Sequence, residues 1–152
     1  MEQKINDTIN QFIEQMGMMA QSDGLPRIAG KILGLMLIDT GPFSFGEIAE
    51  RLEVSRGSVS TNTRLLENLR VIDRVSKMGE RGDYFQLAHD PYAKLLQGVS
   101  QRMEKSISIL KETRSLLPLS MEKSQSRLFD LEHFYTEYLK STTSLIQKLQ
   151  NK

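Results

Sequence analysis

Apolar residues return every three or four positions at both ends of the chain, and the middle breaks that rhythm. Ile5, Ile9, Phe12, Ile13, Met16 and Met19 fall on one face at helical spacing and predict an amphipathic first helix. Gly24 ends it, and Pro26 suits the first turn of a second helix running to about Ile38. Gly30 and Gly34 lie one turn apart on that second helix, with Ala29 adjoining. Small residues on one face let two helix backbones approach closely, so this face predicts core packing against a terminal arm. "DTGPFS" then closes the helix. Ser44 and Glu47 make the S-x-x-E pattern of a capping box at the head of a short helix carrying Ile48, Ala49 and Leu52. Val54 and Ser55 form a turn, and Ser55 is a natural N-cap for the helix that follows. Two short helices joined this closely fit a helix-turn-helix. Residues 71–77 and 83–88 alternate or cluster like strands around the Gly-containing loop "MGERGD", which adds a β-hairpin and completes a winged helix.

Beyond Asp90 and Pro91 the rhythm is helical again. Leu95, Leu96, Val99, Met103, Ile107 and Leu110 repeat up to Pro118, and a last helix carries Leu128, Leu131, Tyr135, Tyr138, Leu139, Ile146 and Leu149. A small winged domain cannot cover stripes of that length, so they predict pairing with a second copy in a symmetric homodimer. The expected fold is mainly α with a small β-wing. Its expected parts are a dimerisation helix at 1–23, a winged helix-turn-helix at 24–90 and helical dimerisation arms at 91–152.

Composition removes whole classes of chemistry. The 152 residues include no cysteine and only two histidines, His89 and His133, far apart in sequence. Disulfides, thiol chemistry and zinc-finger sites are therefore excluded, and a paired-histidine metal site is not expected. Acidic residues are scattered without a catalytic context, and no phosphate-binding glycine loop occurs, so neither enzyme activity nor a cofactor is expected. The longest apolar run, 32–38, is too short to cross a bilayer. Residues 1–15 lack the basic-then-apolar order of an export signal, so a cytoplasmic location without a membrane partner is expected. The formal net charge is only +1, but between Arg51 and Arg81 seven basic residues face four acidic ones, an excess of three.

The stretch "VSRGSVSTNTRLLENL" carries the functional signal. Ser, Thr and Asn are indifferent helix formers because they compete for backbone hydrogen bonds, so a helix rich in them has another use for its polar face. A helical wheel gathers Val59, Asn62, Leu66 and Leu69 on one side and Gly57, Ser60, Thr61, Arg64 and Asn68 on the other. Arg56 and Ser58 flank the helix start. Short side chains let a helix sit deep in a B-DNA major groove, and backbone N–H groups at its start suit a phosphate. Arg64 has the reach for a guanine edge or a backbone oxygen. The candidate DNA-contacting residues are Ser55, Arg56, Gly57, Ser58, Ser60, Thr61 and Arg64, with Arg74, Lys77 and Arg81 from the wing. Two blander readings stand beside this one: a solvated polar face on a core helix, and a winged helix that binds a protein partner within a helical interaction module. Asn62 points inward on the wheel, which assigns it a structural role.

"GEIAERLEVSRGSVSTNTRLLENLRVIDRV" resembles the winged-helix core of the MarR superfamily of bacterial transcription regulators. "GLPRIAGKILGLML" and "GERGDYFQLAHDPY" are more similar to its GbsR-like branch, named for the regulator of glycine-betaine synthesis. The resemblance covers residues 24–92 and the arms in outline. It implies dimers on near-palindromic double-stranded operators, repression, and modulation by a small-molecule effector in many members. Two departures stand out: Arg70 occupies a place where many members have Gly, and the wing lacks the usual Asp-x-Arg, with Arg81 the nearest counterpart. An effector that is a quaternary ammonium compound wants an aromatic cage. Tyr92, Phe129, Phe134, Tyr135 and Tyr138 are the candidates, although rings at helical spacing are more often core.

Overall fold

Helix α1 (Glu2–Ser22) folds back along α2 (Arg27–Ile38), and glycines decide how closely the two can lie. The computed structural model describes every residue, Met1–Lys152. A Cβ placed on Gly30 would stand 2.6 Å from the Ala20 Cβ and closer still to the Met16 carbonyl oxygen. One placed on Gly17, across the seam, would meet Lys31 Cγ at 2.8 Å. The small-residue face of α2 thus receives α1, as its spacing predicts. Glu14 borders the seam with ion pairs to Lys31 at 2.7 Å and Arg27 at 3.1 Å. Hydrogen bonds from Lys31 and Arg27 hold its carboxyl below the usual carboxylate range. Glu14 is half exposed, so these pairs add little beyond the packing.

The next elements form the winged helix. Strand β1 (Phe43–Ser44) leads into α3 (Phe45–Leu52), where the Ser44 hydroxyl accepts the Glu47 amide at 3.1 Å, as the S-x-x-E spacing predicts. Helix α4 (Arg56–Asn68) begins at Ser55, whose hydroxyl accepts the Ser58 amide at 3.1 Å. Strands β2 (Ile72–Val75) and β3 (Tyr84–Leu87) make the hairpin, each shorter than its sequence pattern suggests. Nothing in the local pattern of residues signals β1. It pairs antiparallel with β3 in the register Phe43↔Phe85, so the sheet order is β1-β3-β2 with β3 central. Ile32, Leu35, Ile48, Val59, Leu66, Ile72 and Phe85 are almost wholly buried, and this one core fixes α3 and α4 against α2 and the sheet.

Both helix-turn-helix helices are followed by left-handed residues that are not glycine: Glu53 at φ 56° after α3 and Arg70 at φ 68° beyond α4. The chain therefore makes the expected turn after α4 while carrying a side chain there. Left-handed backbone crowds the Cβ of an L-residue. Because Glu53 is exposed, Glu53→Gly should relieve that crowding and stabilise the protein by about 0.5–1 kcal/mol, read as a higher urea midpoint at unchanged slope.

The chain divides into two compact units, Met1–Pro91 and Tyr92–Lys152, so α1 packs with the winged helix. The second unit holds α5 (Pro91–Leu116) and α6 (Glu122–Gln150). At their elbow the Gln125 amide donates to the carbonyls of Arg114 and Leu117, supplying partners to the C-terminal end of α5. Arg114 pairs with the buried Glu132. Leu131, Phe134, Tyr138 and Leu145 leave an exposed apolar line along α6, each 41–56% accessible. No helix is long and apolar enough to cross a membrane.

Candidate nucleic-acid interface

The core fixes which way α4 faces. Val59, Asn62, Thr63 and Leu66 are buried, while Arg56, Gly57, Thr61, Arg64 and Asn68 are exposed and Ser58 and Ser60 are half-buried. The exposed set matches the polar side of the wheel. Asn62 faces inward and donates to the Ser58 carbonyl at 2.7 Å, which agrees with a structural role. Thr63 belongs to the buried face too, its hydroxyl donating to the Val59 carbonyl at 2.8 Å, and its polar character hid it in the sequence.

Several hydroxyl protons are already committed. Ser55 caps the helix and donates to the Ser58 hydroxyl at 3.0 Å, and Thr61 donates to the Gly57 carbonyl at 3.1 Å. These oxygens keep acceptor lone pairs that can meet the exocyclic amines of adenine or cytosine. Gly57 has no packing reason to be glycine: a Cβ there would find only Ser55 Oγ, at 3.9 Å. Its effect is to keep the first turn of α4 low, so that a phosphate can approach backbone N–H groups. Arg56 lies across the start of α3, its guanidinium 2.8 Å from where a Gly46 Cβ would be. Arg64 is exposed and makes no ion pair, so its charge is available.

The wing residues divide. Arg74 pairs with Glu67 of α4 and with Asp83, each at 2.9 Å, and its guanidinium lies 5.2 Å from the centre of the Phe85 ring. The hydrogen bond to Glu67, followed by the charges of Glu67 and Asp83, raises its pKa further. Two carboxylates thus hold the Arg74 charge in place, and the side chain joins α4 to the hairpin. Lys77 lies 4.3 Å over the Tyr84 ring. The Tyr84 hydroxyl donates to Glu80, and that hydrogen bond holds the phenol above its ordinary pKa. Arg81 stands exposed at the hairpin tip beside Gly82. Arg56 and Arg64 on α4, with Lys77 and Arg81 on the wing, are cations of this unit that make no ion pair.

The aromatic candidates do not close a single cage. Phe129 stacks on His133 at 6.2 Å with Arg114 4.9 Å from its ring centre, while Phe134 gathers Tyr135 at 5.7 Å and Tyr138 at 6.0 Å. Tyr92 is exposed at the head of α5. Within the first unit, α1, α2 and α3 enclose a cleft of about 660 Å³ lined by Ile13, Lys31, Leu35, Phe43, Glu47 and Arg51 among others. Sequence reasoning missed it, because its walls come from four separate stretches. No group of three His, Asp or Glu side chains is arranged to hold a metal ion.

No protein-family model matches the chain. It is 40% identical over 86 residues to the HTH-type transcriptional regulator MmpR5 of Mycobacterium tuberculosis, a match covering 56% of this chain and 52% of that protein. It is 23% identical over 104 residues to the putative HTH-type transcriptional regulator YvaV of Bacillus subtilis, covering 68% and 59% respectively. The matches thus span little more than half the length of these relatives. A crystal structure of a transcriptional regulator superposes with a TM-score of 0.84 at 26% identity, covering 95% of this chain and 99% of that one. The chain is similar to helix-turn-helix transcription regulators. That similarity reaches the architecture of both units, and the winged helix-turn-helix is the fold that it shares.

Proposed function

We propose that this chain is a sequence-specific DNA-binding transcription regulator of the MarR type, acting as a homodimeric repressor on near-palindromic operators. One observation carries the reading: the outward face of α4 from Gly57 to Arg64 is polar, low in profile and unpaired in charge, while its inward face is locked into the core. Helix α4 reads the major groove, and Arg81 reaches backbone or minor groove beside it. Arg74 serves by holding the wing to the reading helix. The exposed line on α6 is the surface for a second copy. The GbsR-like assignment rests on the two motifs that flank the winged-helix core. A small-molecule effector completes the proposal; the α6 rings and Tyr92 are candidates for it, and the α1–α2–α3 cleft has the volume of a drug-sized pocket. The chain works in the cytoplasm, without catalysis, cofactor or metal.

A mobility shift on the DNA upstream of its own gene, at two salt concentrations, tests the reading. Binding that weakens with salt supports it, and a winged helix that binds only protein gives no shift. Sedimentation at low micromolar concentration should give about 35 kDa, twice the 17.4 kDa of one chain. A clean monomer would remove the two-half-site model.

A further inference from the structure

The tip of the wing presents an apolar side chain on a braced support. Met78 is fully exposed, at 101% of its reference accessibility. Its surroundings are ordered by specific contacts. The Glu80 amide donates to the Lys77 carbonyl at 3.1 Å, closing a β-turn with Met78 in its second position and Gly79, at φ 78°, in its third. A positive φ at that third position suits glycine and little else. Both ends of the turn are tied to one ring: Lys77 lies over Tyr84, and Glu80 accepts the Tyr84 hydroxyl. Tyr84 belongs to the central strand, so the turn is anchored to the sheet.

We propose that Met78 is a specificity-determining residue that enters the DNA minor groove at the wing tip, as an apolar wedge against a deformable base step. This rests on the DNA-binding reading. The partner follows from what surrounds the side chain. Lys77 and Arg81 flank it with positive charge, while Asp83 is paired with Arg74 and Glu80 accepts the tyrosine hydroxyl. Glu80 keeps its negative charge, so two cations and one carboxylate leave this apolar point a net positive surround, which matches a groove whose floor is base edges and whose walls are phosphates. Methionine is unbranched and polarizable, so it fits a narrow and irregular slot. Pyrimidine–purine steps open most easily, so a step of that kind at the outer end of each half-site is the site that it reads.

The test uses the full chain on a duplex bound by wild type, with fluorescence anisotropy across a salt series. Burial of part of a methionine side chain is worth roughly a five- to tenfold change in affinity. Met78→Ala should lose that factor with an unchanged slope of log affinity against log salt, because every phosphate stays as neutralised as before. Met78→Leu should stay near wild type. Met78→Ala should also reduce the bend measured by energy transfer between duplex ends, and it should melt like wild type. Replacing the TA or CA step at the half-site edge should weaken wild type and leave Met78→Ala indifferent. If Arg64→Ala loses binding while Met78→Ala binds and bends DNA as wild type does, the tip contact is wrong and the DNA reading survives. If wild type binds no DNA, both fall together.

Discussion

Arg64→Ala is expected to weaken cognate DNA binding by roughly 1–3 kcal/mol, about five- to 150-fold, and to relax preference at one base position in each half-site. The residue is exposed on α4, carries an unpaired charge and lies opposite the buried Val59 and Leu66. Its removal should therefore leave the melting temperature nearly unchanged, which separates a binding defect from a folding defect. Arg81→Ala is the contrast. At the hairpin tip it is placed for backbone contact, so it should weaken matched and scrambled duplexes alike. It should also flatten the salt slope by roughly one unit for each phosphate that Arg81 neutralises in the wild-type complex. Both variants are read by anisotropy on the two duplexes. An Arg64→Ala protein with full cognate affinity means that α4 is not the reader, and a protein partner for the winged helix becomes the better hypothesis.

Gly30→Leu should be the most damaging single change in the first unit, destabilising it by about 3 kcal/mol or more. A Cβ at Gly30 already crowds the backbone of α1 at Met16 and Gly17, and backbone cannot step aside as a side chain can. At Gly34 the corresponding distances are 3.2 Å, to Ile13 Cα and to the Met16 side chain, so Gly34→Leu should fall near 1–3 kcal/mol. The sharper comparison is Gly30→Ala. In an open helix that change is favourable by about 1 kcal/mol. Here it should lower the melting temperature, and an unchanged or raised value would show that the helices cross more loosely.

What could be read from the sequence was what short-range chemistry dictates. The two caps at Ser44 and Ser55, the hairpin loop between Lys77 and Asp83, and the helical stripes each lie within a few residues of chain. The outward face of α4 followed from periodicity alone. What escaped depends on distant partners. Strand β1 is two residues long and exists because Phe43 meets Phe85 across the sheet. The cleft draws its walls from three helices and the strand between them. Arg74 looked like one more surface cation, since its partners Glu67 and Asp83 lie seven and nine residues away on other elements. Thr63 gave no sign of being buried, because its hydroxyl is satisfied within its own helix, which a one-letter pattern cannot register.

The three-stranded sheet also limits how this protein can aggregate. An unpaired strand edge invites another chain to continue the sheet, and long, flat, apolar edges are the most exposed to that fate. Here the central strand is paired on both sides. One outer edge is only two residues long, and the other is a four-residue strand carrying Asp73 and Arg74 in its middle. Neither offers enough uncharged backbone to template an intruding strand. A chain that also exposes an apolar line on a long helix would otherwise have two competing ways of sticking to itself. With the strand route blunted, the apolar line on α6 is the remaining adhesive surface, and in the proposed homodimer helix against helix closes after two copies and stops.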